Sequence, residues 1–124
     1  MSSRLLIACL CAEWCGTCRD YRAVFDALRV ALPAHDWRWV DVEDEAEQVG
    51  DLDIETFPSL LIARDGEVLF GGPVLPRLHD SQRLVESLEA DVRESRKIEP
   101  RVAPAERAAY AALARTLARA PGAR

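Results

Sequence analysis

Apolar side chains run unbroken from Leu5 to Ala12. An unbroken run of this length predicts a strand covered on both faces, here over Leu5–Cys11. The period then changes. From Thr17 to Leu32 the apolar positions are Tyr21, Val24, Phe25, Leu28 and Leu32, with Arg19, Asp20, Arg22, Asp26 and Arg29 between them. That is one face of an amphipathic helix, and Pro33 ends it. Trp37–Val42 reads as a second strand, parallel to the first because a helix joins them. Asp44 followed by Glu47 has the form of a capping box for a short helix stopping near Gly50. Ser59–Ala63 and Glu67–Phe70 are short apolar strands around Arg64-Asp65-Gly66, and Asp-Gly suits a tight antiparallel hairpin. Asp80 is placed to cap a further helix with Leu84, Leu88 and Val92 on its buried stripe. The order β-α-β-α-β-β-α predicts an α/β domain, a mixed four-stranded sheet flanked by helices.

Composition changes after Lys97. Pro100, Pro104 and Pro121 bracket an alanine-rich, basic stretch. Within it Glu106–Arg119 has helical propensity and a thin apolar stripe of Tyr110, Leu113 and Leu117. An isolated helix of this length is marginal in water, so it either docks or stays a largely disordered tail. The chain thus divides into a domain over 1–97 and a tail over 98–124. The formal charge of −5 argues against a nucleic-acid binder. It hides a net −10 over residues 1–95 and +5 over residues 96–124. Eight acids and no base lie between Asp41 and Glu55. They form either a landing surface for the basic tail or a solvated run that never meets it. A chain of 124 residues with 49% apolar side chains makes one domain with a real core. A bilayer-spanning helix needs about 20 apolar residues, so no membrane span is expected.

Candidate chemistry begins with Cys9, Cys11, Cys15 and Cys18, the chain's four cysteines. Bridges among such near neighbours would close almost no loop, unlike those of a secreted disulfide scaffold. Clustered thiols indicate redox chemistry or a metal in a reducing compartment. The start, Met1–Arg4 and then Leu5–Ala8 before Cys9, superficially resembles a lipoprotein leader, but its apolar stretch is too short. The expected compartment is the cytoplasm. In Trp14-Cys15-Gly16-Thr17-Cys18 a buried strand turns into an amphipathic helix. Cys15 falls at the helix N-terminus, where free N–H groups and the macrodipole favour a negative sulfur. Cys18 lies one turn on, in the buried stripe. The spacing makes two unlike thiols, an approachable attacker and a shielded partner.

The segment Ala12-Glu13-Trp14-Cys15-Gly16-Thr17-Cys18 resembles the thioredoxin signature, with Thr17 where proline is usual. Thr56-Phe57-Pro58-Ser59-Leu60-Leu61 is similar to the family's second landmark, a cis-proline loop packed against the dithiol, and Asp65-Gly66-Glu67-Val68 to the hairpin that follows. The resemblance covers roughly residues 4–95. It lacks the family's usual first strand and helix and leaves the segment after Lys97 as a C-terminal extension. It implies a thioredoxin-like fold and a cis peptide before Pro58. It also implies a docking surface of Trp14, Phe57 and Pro58, with the Phe57 backbone pairing an extended substrate segment. The implied activity is thiol–disulfide exchange with protein substrates through catalytic Cys15 and Cys18. Electrons would come from a thioredoxin reductase or a similar dithiol donor, with no bound cofactor or metal.

Two departures stand out. Cys9 occupies the position of an aspartate that thioredoxins bury beneath the dithiol, and Cys11 replaces a tryptophan. Trp39, or Arg38 if one residue is skipped, falls where a lysine usually partners that aspartate. Loss of both ends of a buried ion pair is physically coherent. Cys9 and Cys11 are expected to act as small buried hydrophobes. Contacts of Cys9 with Cys18, or of Cys11 with Cys15, are the redox alternative. Cys11-x3-Cys15-x2-Cys18 also matches iron–sulfur ligand spacing, but Cys11 sits inside an apolar strand. Zinc on four cysteines lacks a second Cys-x-x-Cys or a His pair, and nothing links His35 or His79 to a cysteine. The rival from another class is a non-catalytic adaptor or chaperone-like module, which has no need of both Cys15 and Cys18.

Overall fold

The computed structural model describes residues 4–120. Met1, Ser2 and Ser3 of the leader-like start and Pro121 of the tail lie outside the described residues. The elements are β1 (Leu6–Cys11), α1 (Gly16–Ala31), β2 (Asp36–Asp41), α2 (Ala46–Val49), β3 (Ser59–Arg64), β4 (Glu67–Pro73), α3 (Leu78–Arg93), β5 (Arg101–Val102) and α4 (Arg107–Arg119), with a 3-10 turn over Pro104–Glu106 before α4.

The strands form one mixed sheet in the order β2-β1-β3-β4-β5. β2 is parallel to β1, β3 is antiparallel to both β1 and β4, and β5 is parallel to β4. The sheet therefore has five strands rather than the expected four. Arg101–Val102 is too short for any period to reveal it, and it pairs with Phe70 and Gly71. The β3–β4 hairpin turns on Asp65 and Gly66, whose φ angles of 52° and 83° are those of the tight turn that Asp-Gly favours.

Alternation along the unbroken β1 run explains why both sheet faces are covered. Leu5, Ile7, Cys9 and Cys11 point to one face, with Cys18, Tyr21, Phe25 and Leu28 of α1 and Val85 and Leu88 of α3. Ala8 and Leu10 point to the other, with Val49 of α2 and Tyr110, Leu113, Ala114 and Leu117 of α4. The basic segment therefore docks. Ile98 and Val102 pack against the two cores, so the composition break at Lys97 is not a break in packing. The clamp is not the acidic run. Among the described residues no ion pair joins residues 41–55 to the tail's bases. Instead the buried Arg38 pairs with Asp36 (2.8 Å) and donates to the Leu117 carbonyl (2.6 Å) near the end of α4, where the helix carbonyls favour a cation.

Two helix starts differ from expectation. Asp44 does not cap α2; its amide, like that of Glu43, donates to the Asp41 carboxylate, and Glu45 is the residue before the helix. Asp80 does not cap α3, which begins two residues earlier at Leu78 and leaves Asp80 in its first turn. The stripe is turned accordingly. Ser81, Val85 and Leu88 are buried, with Leu84 and Val92 at its margin. Ser81 is buried for a reason of hydrogen bonding, since its hydroxyl meets that of Tyr21 at 2.7 Å and ties α3 to α1.

Both tyrosines of the chain are in the core, and burial pushes each phenol up to about 12. Unfolded phenols ionise near 10. Between those values the folded chain holds more protons than the unfolded one, so stability is full below about pH 10 and falls as pH rises to about 12. Phenolate absorbance and far-ultraviolet circular dichroism should therefore change together in that window. Ionisation near pH 10 with the dichroism intact contradicts the burial.

Candidate active site

The dithiol segment leaves β1, crosses Ala12–Trp14 and enters α1 with Cys15 as its N-cap residue. The turn is fixed at both ends. The Cys15 amide donates to the Ala12 carbonyl (3.0 Å), and the Arg19 amide donates to the Cys15 carbonyl (3.2 Å). The Arg19 guanidinium also holds the Glu13 carbonyl at 2.9 Å. From across the sheet end, the Asp41 carboxylate accepts the amides of Glu13 (3.2 Å), Glu43 (2.9 Å) and Asp44 (3.0 Å). These amides, that of Asp44 foremost, hold Asp41 below its ordinary range against the opposing effect of burial. Asp41 thus anchors the loop that carries Cys15. In the sequence Asp41 is one acid in a run, and its place at the end of the strand beside β1 is the signal that sets it apart.

Cys15 is free and half-buried, while Cys18 is buried one turn behind it. Gly16 leaves the surface beside Cys15 open, since a methyl there would meet nothing closer than the Arg19 side chain at 3.8 Å. Trp14 is 62% exposed, and its ring meets Phe57 edge-on at 5.7 Å between centroids. The Phe57–Pro58 bond is cis. The Pro58 carbonyl accepts the Val74 amide (3.1 Å), which brings the following loop, with its exposed Leu75, beside the proline. Leu75 carries no periodic signal in the sequence, because Gly71-Gly72-Pro73 breaks the pattern before it. A groove of about 420 Å³ lies between α1 and β2, lined by Cys18, Arg22, Trp39 and Asp41 among others.

Beneath the dithiol, Cys9 and Cys11 share the α1 face of β1. Burial pushes the Cys9 thiol up, with Arg22 opposing weakly, so it stays protonated. The parallel register sets Trp39 beside Cys9, and the Trp39 ring packs on Phe25 and under the Arg22 guanidinium (4.7 Å). Arg38 belongs to the opposite face, with α4. On this face of β1 and β2 the two positions expected to carry the ion pair are Cys9 and Trp39, neither of them charged. Cys11, expected to be a packing residue, is instead disulfide-bonded to Cys18. Neither Cys9–Cys18 nor Cys11–Cys15 is the pair formed, and Cys15 is left as a thiol. The reason is placement: alternation aims Cys11 at the buried stripe of α1, and the two Cα atoms are 5.7 Å apart, within disulfide reach. His35 is structural. Its Nδ1 accepts the Leu5 amide (3.0 Å), and its Nε2 lies 3.0 Å from Glu89.

Comparison with known proteins agrees with this geometry. The thioredoxin family model matches residues 1–76. A Streptomyces coelicolor protein named "Putative thioredoxin 2" is 31% identical over 87 residues, covering 69% of this chain and 65% of that protein. Thioredoxin of Chlamydia trachomatis is 28% identical over 67 residues, covering 54% of this chain and 66% of its own. The chain thus spans just under two thirds of the length of these curated relatives. Thioredoxin of Fasciola hepatica superposes with a TM-score of 0.62 at 21% identity, over 69% of this chain and 82% of that one, a likeness of fold. With the dithiol segment at the mouth of α1, the cis-proline loop beside it and a family match over more than half its length, the chain belongs to the thioredoxin family.

Proposed function

We propose that the protein is a thiol–disulfide oxidoreductase acting on protein disulfides. The observation that carries this reading is the pair of unlike sulfurs, a free, half-buried Cys15 thiol at the start of α1 and the buried sulfur of Cys18 one turn behind it. Cys15 as thiolate attacks a substrate disulfide, forms a mixed disulfide and releases one substrate thiolate. Cys18, when reduced, attacks the Cys15 sulfur. The second substrate thiolate leaves, and a Cys15–Cys18 disulfide remains. Two electrons have passed from the dithiol to the substrate. Trp14, Phe57 and Pro58 form the docking face, where the Phe57 backbone takes an extended segment with little regard to sequence. A thioredoxin reductase or comparable dithiol donor restores the thiols, in a reducing compartment such as the cytoplasm, and no bound cofactor is needed.

The test is insulin reduction at fixed dithiothreitol, followed by turbidity. Wild type should accelerate precipitation. Cys15→Ser should lose that acceleration by about 100-fold or more, since the attacking sulfur is gone. Equal acceleration by both proteins, or none by either, overturns the reading; the latter favours an adaptor.

A further inference from the structure

The reduction mechanism uses two sulfurs, and the structure joins a third to one of them. Cys11 and Cys18 are both 1% exposed and bonded to each other, and the Cys9 sulfur lies 3.6 Å from that of Cys11. A disulfide sulfur carries no hydrogen, so Cys9 is the S–H donor in that contact. It cushions the bond without entering it. Cys18 thus stands between Cys11, to which it is bonded inside the core, and Cys15, three residues earlier at the mouth of α1.

We propose that Cys11 is a third redox cysteine, which captures Cys18 and leaves the oxidised protein with a free Cys15 thiol. The proposal builds on the exchange chemistry assigned to Cys15 and Cys18 above. In the capturing step the Cys11 thiolate attacks Sγ of Cys18 in the Cys15–Cys18 disulfide. The Cys11–Cys18 bond forms, the Cys15–Cys18 bond breaks, and its electron pair leaves on the Cys15 sulfur. The proton lost from Cys11 is balanced by solvent or by Cys15. No electrons are gained or lost overall, so no oxidant or reductant is required.

The consequence is a second activity. With Cys18 occupied, Cys15 still attacks a substrate disulfide, but no neighbouring thiol resolves the mixed disulfide. The substrate's own released thiolate, or another of its thiols, then attacks the substrate sulfur bound to Cys15. Cys15 is expelled as thiolate and the substrate disulfide is rearranged. The substrate class is a protein with wrongly paired disulfides, and the net reaction is isomerisation. Reduction and isomerisation would thus be selected by the partner Cys18 holds.

The sequence makes the linkage readable. Full-length protein is reduced, oxidised with one equivalent of diamide, denatured in acid and alkylated with N-ethylmaleimide. Cleavage after Arg4, Glu13 and Arg19 then separates Leu5–Glu13, carrying Cys9 and Cys11, from Trp14–Arg19, carrying Cys15 and Cys18. The proposal predicts the two peptides cross-linked through Cys11 and Cys18, with one maleimide each on Cys9 and Cys15. Separate peptides, the second with an internal disulfide and the first with two maleimides, overturn it, as does a link through Cys9. Reactivation of scrambled ribonuclease by the oxidised protein without added reductant tests the activity. Wild type should reactivate it, and Cys11→Ala should fall at least tenfold because its Cys15 is tied to Cys18. Cys11→Val, with a β-branched side chain suited to the strand, repeats the test if the alanine variant folds poorly. Equal rates in wild type and variant overturn the second activity. Insulin reduction is scored separately, so loss of the capture and loss of the oxidoreductase reading give different results.

Discussion

Replacing Tyr110 with alanine should cost about 3–5 kcal/mol of stability, the range for deleting a large buried aromatic side chain. Tyr110 is 1% exposed in the core between α4 and the sheet. Its ring lies over Gly71 of β4, where an added Cβ would come within 2.7 Å of a ring carbon. The glycine is needed for close approach, because the ring occupies the space any side chain would take. For a chain of this length the loss corresponds to a fall in Tm of about 12–20 °C. Gly71→Ala should itself destabilise by roughly 1–3 kcal/mol through overpacking. The two changes should be less than additive when combined, since the missing ring leaves room for the methyl. Chemical denaturation of the four proteins measures this. Full additivity, or a Tyr110→Ala loss under about 1 kcal/mol, means that α4 does not hold the sheet as described.

Cys18→Ser should leave the first attack intact and remove the second. A thiol held one helical turn from the mixed disulfide has the advantage of a positioned intramolecular group, against millimolar thiols arriving from solution. Release of bound substrate should slow by about a thousandfold or more, and a covalent adduct should accumulate. Stopped-flow release of a fluorescent disulfide peptide reads the rate directly. Release within tenfold of wild type would place the resolving thiol elsewhere among the cysteines.

Much of this arrangement is legible in the chain because it rests on local periodicity. The unbroken run of β1, the 3-4 spacing of α1 and the Asp-Gly hairpin each carry their own signal, and Cys15 and Cys18 inherit their positions from the first two. The α3 stripe is turned from the expected one because the helix begins at Leu78 rather than after Asp80, and a buried serine, Ser81, the partner of Tyr21, carries no apolar signal. The docking of α4 depends on Gly71, Arg38 and a two-residue strand, long-range features without a repeating pattern. Cys11 is the instructive case. Alternation along β1 already places it on the α1 side, opposite the stripe that contains Cys18. Its apolar neighbours in the sequence carry the signal of packing and none of a bond.

The account depends above all on Cys15 being the sulfur that meets substrate. Cys18→Ser should be incubated with a cystine-bridged peptide, then alkylated, cleaved after Glu13 and Arg19 and weighed without reduction. The account predicts one substrate chain on the Trp14–Arg19 fragment, where Cys15 is then the sole cysteine. A substrate chain on Leu5–Glu13 instead, or no adduct at all from folded protein, contradicts it.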